Sequence, residues 1–260
     1  MIDILFLFVQ IITESLPISS SGHVWLVEQM LIKMHFLSQP VIITWMNDLY
    51  NAPTLLVFSA YFFKQWTFLL RIMLHKGVLI LKLMAMICLA DGITLIWYMF
   101  FHIFSCCWFP HAFGFCITGL LLYSLKFCTQ QTYQRMTYKK ALLIGCAQGI
   151  ALLPGISRMA ITYSTGCFLH LTPRKSFLFS CALQVPLISA ALLRAIITHG
   201  HDVLIWTYAF YTTSGAVLWI IIALIIAYLC LYSVEQVMYK KRLWKVSRYM
   251  FFPFVLALFL

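Results

Sequence analysis

The stretch QIITESLPISSSGH, Gln10 to His23, decides how the rest of the chain is read. It sets one carboxylate, Glu14, before a Leu-Pro step, then three serines, a glycine and a histidine, with apolar sequence on both sides. Met1–Thr13 is apolar but too short to span, since a ~30 Å hydrocarbon core needs about 20 helical residues. Pro17 and Gly22 break the helix, and Val24–Met34 resumes an apolar pattern. Two half-length helices around a polar tip read as a re-entrant hairpin. Such backbone is tolerated at membrane depth only where protein or a water-filled cavity receives it.

Composition sets the same frame. Of 260 residues, 63% are hydrophobic and 10% charged, where a soluble domain carries about 25% charged residues. Mean hydropathy is +0.94. Stretches such as Leu218–Leu231 show no strand-like alternation, which excludes a transmembrane barrel and leaves helices. The net charge of +11 sits in short clusters between apolar runs, a pattern of topology signals and lipid headgroup contacts rather than nucleic-acid binding. Cys88, Cys116, Cys146, Cys181 and Cys230 lie in apolar runs and read as packing; Cys106 and Cys107 are the pair with a redox question. The N-terminal run carries Asp3 and no basic residue, so it does not read as a cleavable signal peptide.

Further along, candidate spans fall at about Leu49–Phe63, Leu79–Phe101, Ala112–Leu125, Lys175–Thr198 and Val203–Tyr232, with Arg248–Leu260 short and of open depth. Ala141–Leu153 is again too short, is interrupted by Pro154-Gly155, and returns as Ala160–Leu171. Lys64–Lys82 and Lys126–Lys140 hold four Lys/Arg each and Lys240–Arg248 five, while Met34–Tyr50, His102–His111 and His199–Asp202 hold none. Rich and poor loops alternate, which puts the rich ones in the cytoplasm. The first hairpin therefore dips in from outside and the second from the cytoplasm, as an inverted-topology repeat requires. Leu16-Pro17-Ile18-Ser19-Ser20 is echoed by Leu153-Pro154-Gly155-Ile156-Ser157, and Gln10 by Gln148. The expectation is an all-α polytopic membrane protein of one domain, 1–260. It has about six transmembrane helices and two re-entrant helix hairpins related as an inverted-topology repeat. The first repeat is 1–125 with its hairpin at 1–34, the second 136–260 with its hairpin at 141–172.

Gln10 and Glu14 are four residues apart on a helix and share one face. An ionisable group at that depth marks a functional cavity, and carboxylate plus amide suits a hard divalent cation, Mg²⁺ or Ca²⁺. Ser19, Ser20 and Ser21 precede the returning half-helix; one of them is its N-cap, and the helix N-terminus with its hydroxyls is also a phosphate site. His23 is within one turn, near enough to serve as base toward a serine hydroxyl or a water. In the second hairpin Ser157 and Arg158 open the returning helix and Thr162 lies one turn on. A buried Arg wants an anion, either a substrate phosphate held bidentately or Glu14 of the facing hairpin. Arg194 reads as snorkelling, Asp91 in mid-span as the partner of Lys82 or another buried group, and Asp48 and Asn51 as able to face the cavity. His102, His111, His199 and His201 are outer-side loop histidines. Trp97, Trp108 and Trp206 fit interfacial belts.

At these residues the sequence resembles the undecaprenyl-diphosphate phosphatase family, the bacitracin-resistance type of integral membrane phosphatase. That family's (E/Q)-x-x-x-E and Leu-Pro-x-Ser-Ser-(Ser/Thr)-Gly-His run is present as Gln10-x-x-x-Glu14 and Leu16 to His23. Its P-G-x-S-R-S-x-x-T signature appears as Pro154 to Thr162, with Met159 and Ala160 in place of Ser-Gly. Ser247-Arg248-Tyr249 is similar too. Asn51 and Pro53 replace a common Gln-x-Gly, and Leu178 a common Glu. The resemblance implies hydrolysis of undecaprenyl diphosphate to the monophosphate carrier lipid of cell-wall synthesis and inorganic phosphate. It implies a divalent cation on Gln10 and Glu14; Glu14, Ser20 and His23 as catalytic residues; and Ser19, Ser21, Ser157, Arg158 and Thr162 around the diphosphate. It also implies a multi-pass protein of the bacterial plasma membrane with an extracytoplasmic site. The expected partners are the isoprenoid diphosphate and membrane lipids, not nucleic acid, with a homodimer as an open expectation.

Two rival readings differ in class. Ser21-Gly22-His23 and Ser157-Arg158 are similar to motifs of acid-phosphatase-like lipid phosphatases, but Ser164 stands where their second His falls. A transporter or flippase of a phosphorylated isoprenoid lipid shares the architecture, yet it needs no nucleophile and base beside the phosphate site.

Overall fold

The computed structural model describes residues 2–42, 44–103, 109–128, 134–212 and 215–260, without the side chains of residues 44, 68–76 and 79. Cys106, Cys107 and Trp108 lie outside the described residues. No strand occurs among those described, and the chain is an all-helical, multi-pass membrane protein. By length and apolarity Ile80–Ile103, Pro173–Thr212 and Ala216–Tyr239 can cross a membrane, and His111–Phe127 is a shorter apolar helix.

The first hairpin is α1 (Ile2–Glu14) and α2 (Ser20–Lys33). Helix α1 buries Phe6, Leu7, Gln10, Ile11 and Glu14 on one stripe, the spacing that an inward face demands. The Leu16-Pro17 step ends it, because proline lacks the N–H a continuing turn would use. Ser19 then caps α2, its hydroxyl accepting from the Gly22 N–H at 3.2 Å. After it come α3 (Thr44–Tyr50), α4 (Ala52–Tyr61), α5 (Phe63–Ile103) and α6 (His111–Ser124).

The second hairpin repeats the device with α7 (Tyr138–Ile150) and α8 (Arg158–Phe168). Thr137 caps α7 and Ser157 caps α8, the latter accepting from the Ala160 N–H at 3.2 Å. Its tip turns at Gly155, whose φ of +81° favours glycine. Helices α9 (Pro173–Thr212), α10 (Ala216–Tyr239) and α11 (Ser247–Phe259) complete the chain.

Both tips rest on α6. A side chain at Gly22 would meet the Phe115 ring at 2.7 Å, and one at Gly114 would collide with the Pro154 carbonyl. The Thr118 hydroxyl donates to the Gly155 carbonyl at 3.2 Å and accepts from the Ser157 N–H at 3.1 Å. The fixed backbone of the second tip is therefore satisfied by α6, as a buried loop requires.

Three expected boundaries move. The span at Leu49–Phe63 is two helices broken at Asn51, because Pro53 suits the first turn of α4 and not the interior of a longer helix. The basic segment Lys64–Lys82 is helical, part of α5; charge marks a side of the membrane without ending a helix. The run Val203–Tyr232 is divided: α9 continues through a kink at His199 to Thr212, and Gly215, at φ +82°, starts α10. The apolar runs on either side of Thr212-Thr213-Ser214-Gly215 hid that division.

Candidate active site

The two tips face one cavity of about 460 Å³, walled further by the α3–α4 junction, His111 and α9. Glu14, 5% exposed, lines it. One carboxylate oxygen accepts from Arg158 Nη2 at 2.8 Å, and the other accepts from the Ser20 hydroxyl. The hairpins are thus joined through a single side chain. Arg158 keeps a quarter of its side chain exposed while Glu14 is almost enclosed, so the guanidinium is the partner that can move.

Gln10 is buried one turn before Glu14. Its Nε2 donates to Asn51 Oδ1 at 2.5 Å, and Asn51 Nδ2 donates to the Asn47 carbonyl at 3.0 Å. Gln10 Oε1 has no hydrogen-bond partner. A buried carbonyl oxygen left this way calls for a donor or a cation. With Glu14 on the same face, the pair fits a hard divalent ion whose shell is completed by water and phosphate oxygens. Among the described residues no group of three or more His, Cys, Asp or Glu forms a denser metal site.

Ser19, Ser20, Ser21, Ser157 and Arg158 all line the cavity. Ser19 and Ser157 spend their hydroxyls on capping, which points the N-termini of α2 and α8, with their partial positive charge, at the space between. His23 and Thr162 are not among the lining residues. His23 Nδ1 donates to the Ser19 carbonyl at 2.5 Å, so its Nε2 is the acceptor for the Tyr249 hydroxyl at 3.0 Å; the two rings stack. Thr162 turns its hydroxyl back to the Arg158 carbonyl at 2.8 Å, the usual helix back-bond of a threonine.

Several site residues escaped the sequence reading. Asn47, Gln184 and His111 line the cavity, His111 stacked on Trp25, and Thr118 and Tyr249 support the tips. None carries a local signal except Tyr249, in the Ser-Arg-Tyr run. Asp48 and Asn51 do face the cavity. Arg194 does not simply snorkel, since it pairs with Asp48 and Tyr98. Asp91 accepts from Gln148 Nε2 at 2.8 Å.

Comparison with known proteins places the chain in a family. The sequence model of the family described as "Bacitracin resistance protein BacA" matches residues 4–257. Proteins described as "Undecaprenyl-diphosphatase" from Staphylococcus aureus strains COL, JH9 and Newman are each 28% identical over 134 residues. That match covers 52% of this chain and 42% of the length of those relatives.

Proposed function

We propose that this chain, which belongs to the bacitracin resistance protein BacA family, hydrolyses undecaprenyl diphosphate to undecaprenyl phosphate and inorganic phosphate. One observation carries the reading: Glu14 holds the hydroxyl of Ser20 and the guanidinium of Arg158 at once. A carrier of phosphorylated lipid needs the arginine but has no use for a serine hydroxyl bonded to a buried carboxylate.

The lipid enters laterally from the bilayer and its head lodges between the tips. Arg158 exchanges Glu14 for phosphate oxygens, which it can hold bidentately, and Glu14 becomes free to act as base. Ser20 Oγ attacks the terminal phosphorus and gives its proton to Glu14. The bond from phosphorus to the bridging oxygen breaks, and the lipid monophosphate leaves with the electron pair. Water then attacks the phosphoserine. Glu14 returns its proton to the departing Ser20 oxygen, and the protons of the water leave with inorganic phosphate. Ser157 and Ser19 hold the two helix N-termini against the developing charge. Gln10 Oε1 and Glu14 would hold Mg²⁺ or Ca²⁺, which supplies positive charge against diphosphate oxygens when bound. His23 takes a positioning part here: it fixes the Ser19 carbonyl beside the nucleophile, and Glu14 is the base. The alternating basic clusters support an extracytoplasmic site in a bacterial plasma membrane.

Phosphate release from a long-chain isoprenoid diphosphate by the purified protein, with and without EDTA, tests the activity and the cation. Equal release from Glu14→Ala, Ser20→Ala and Arg158→Ala variants would sink the site. Rapid acid quenching tests the nucleophile: phosphate trapped on Ser20 is expected, and its absence under turnover means that water attacks directly.

A further inference from the structure

We propose that Arg194 is a second phosphate-binding arm at the rim of the cavity, kept in place by Asp48, that takes the lipid-linked phosphate while Arg158 takes the terminal one. The inference rests on the diphosphatase reading above and deepens it.

Position comes first. Gln184, Ile188 and Ala191 of α9 line the cavity, and Arg194 stands one further turn along that side of the helix. Its Nη2 donates to Asp48, and Asp48 is itself a lining residue, 8% exposed. Its Nη1 donates to the Tyr98 hydroxyl at 2.7 Å, with the guanidinium 5.6 Å from the centre of the Tyr98 ring. An arginine that only snorkels carries its charge out to headgroups. This one turns inward and spends a donor on a carboxylate of the cavity wall.

Charge then gives the arm a task. The cavity wall carries two carboxylates, Glu14 and Asp48, and each is matched by one arginine. With both pairs closed, a diphosphate meets no net positive charge from them. If Arg158 exchanges Glu14 for the terminal phosphate, the remaining phosphate needs a second cationic partner, and Arg194 is the side chain built for the same exchange. With 40% of its side chain exposed, it is free to swing, and Tyr98 keeps hold of one end while Asp48 is released. After cleavage the lipid monophosphate is held by Arg194 alone, so this arm sets product affinity as well as preference for a diphosphate over a monophosphate.

The test measures KM and kcat for an isoprenoid diphosphate, and the inhibition constant of the isoprenoid monophosphate, in Arg194→Gln, in Arg194→Lys and in the double variant Asp48→Asn/Arg194→Gln. The double variant avoids stranding Asp48 without its partner. Arg194→Gln and the double variant are expected to raise KM about tenfold or more and to weaken monophosphate inhibition by a similar factor. The kcat value is expected to stay within about threefold, and lysine to restore part of the loss. Unchanged KM and inhibition in the double variant, or a fall in kcat alone, overturns the proposal. Direct binding of the diphosphate and monophosphate lipids to Ser20→Ala protein, with and without Arg194→Gln, reads the arm independently of turnover. If wild-type protein released no phosphate, the function would fall, and a loss of lipid binding on Arg194→Gln would still support the arm.

Discussion

The two hairpins share a plan and divide the chemistry. Each returns through a capping serine, Ser19 in one and Ser157 in the other. Gln10 stands as far before Ser19 as Gln148 does before Ser157. Beyond that frame two differences bear on the chemistry. The first helical residue is Ser20 in one and Arg158 in the other, and where the first hairpin has Glu14 the second has Leu152. The proposed serine nucleophile needs a carboxylate base beside it, whereas an anion-binding tip needs none, and a second carboxylate there would repel the phosphate. The glutamines diverge likewise. Gln10 leaves its buried carbonyl oxygen without a hydrogen-bond partner, while Gln148 donates to Asp91 and Thr94 of α5. One glutamine keeps an acceptor unpaired and the other uses its amide to hold its hairpin against α5.

The comparison breaks most completely at the residue that distinguishes the first tip. Ser20→Ala is expected to cut phosphate release about a thousandfold, measured with the isoprenoid diphosphate at saturation. Arg158→Ala removes the other tip's contribution and also leaves Glu14 buried without its charge partner. That loss costs about 3–5 kcal/mol in comparable buried pairs, so a clear drop in the detergent-solubilised melting temperature should accompany inactivity, and Arg158→Ala/Glu14→Gln should recover the melting temperature without the activity. Leu152→Glu makes the tips more alike; an expected rise in KM of about tenfold, with the fold intact by circular dichroism, would show why the second tip carries no acid. The smallest effect belongs to Tyr249→Phe, which removes the hydrogen bond to His23 at a cost of about 1 kcal/mol. Phosphate release should fall only a few fold if His23 positions the tip.

Much of the first-tip chemistry was legible because it is local. Pro17, Pro154 and Gly155 stop helices, Ser19 and Ser157 start them, and Gln10 and Glu14 fall on one face by spacing alone. The pairs that cross the molecule were not legible. His23 meets Tyr249 from the far end of the chain, and Asp48 meets Arg194 across five helices. No periodicity ties such residues together. The orientation of a side chain is equally hidden: Thr162 and His23 have the right chemistry at the right spacing, yet each is turned toward backbone. The α9–α10 division was marked in sequence by Thr212-Thr213-Ser214-Gly215, a signal outweighed by the apolar runs on either side.

Helix α6 has a consequence that concerns assembly rather than catalysis. It takes Gly22 of one tip on the ring of Phe115 and the turn of the other tip on Gly114 and Thr118. The helix therefore works as a caliper: the gap between the tips that carry Ser20 and Arg158 is set by a third element outside both hairpins. Substitutions on α6 should act as machining errors, altering the clearance between the jaws while leaving every reactive group in place. A site made between two imperfectly matched hairpins can keep its working distance through sequence drift because both tips are gauged against the same bar.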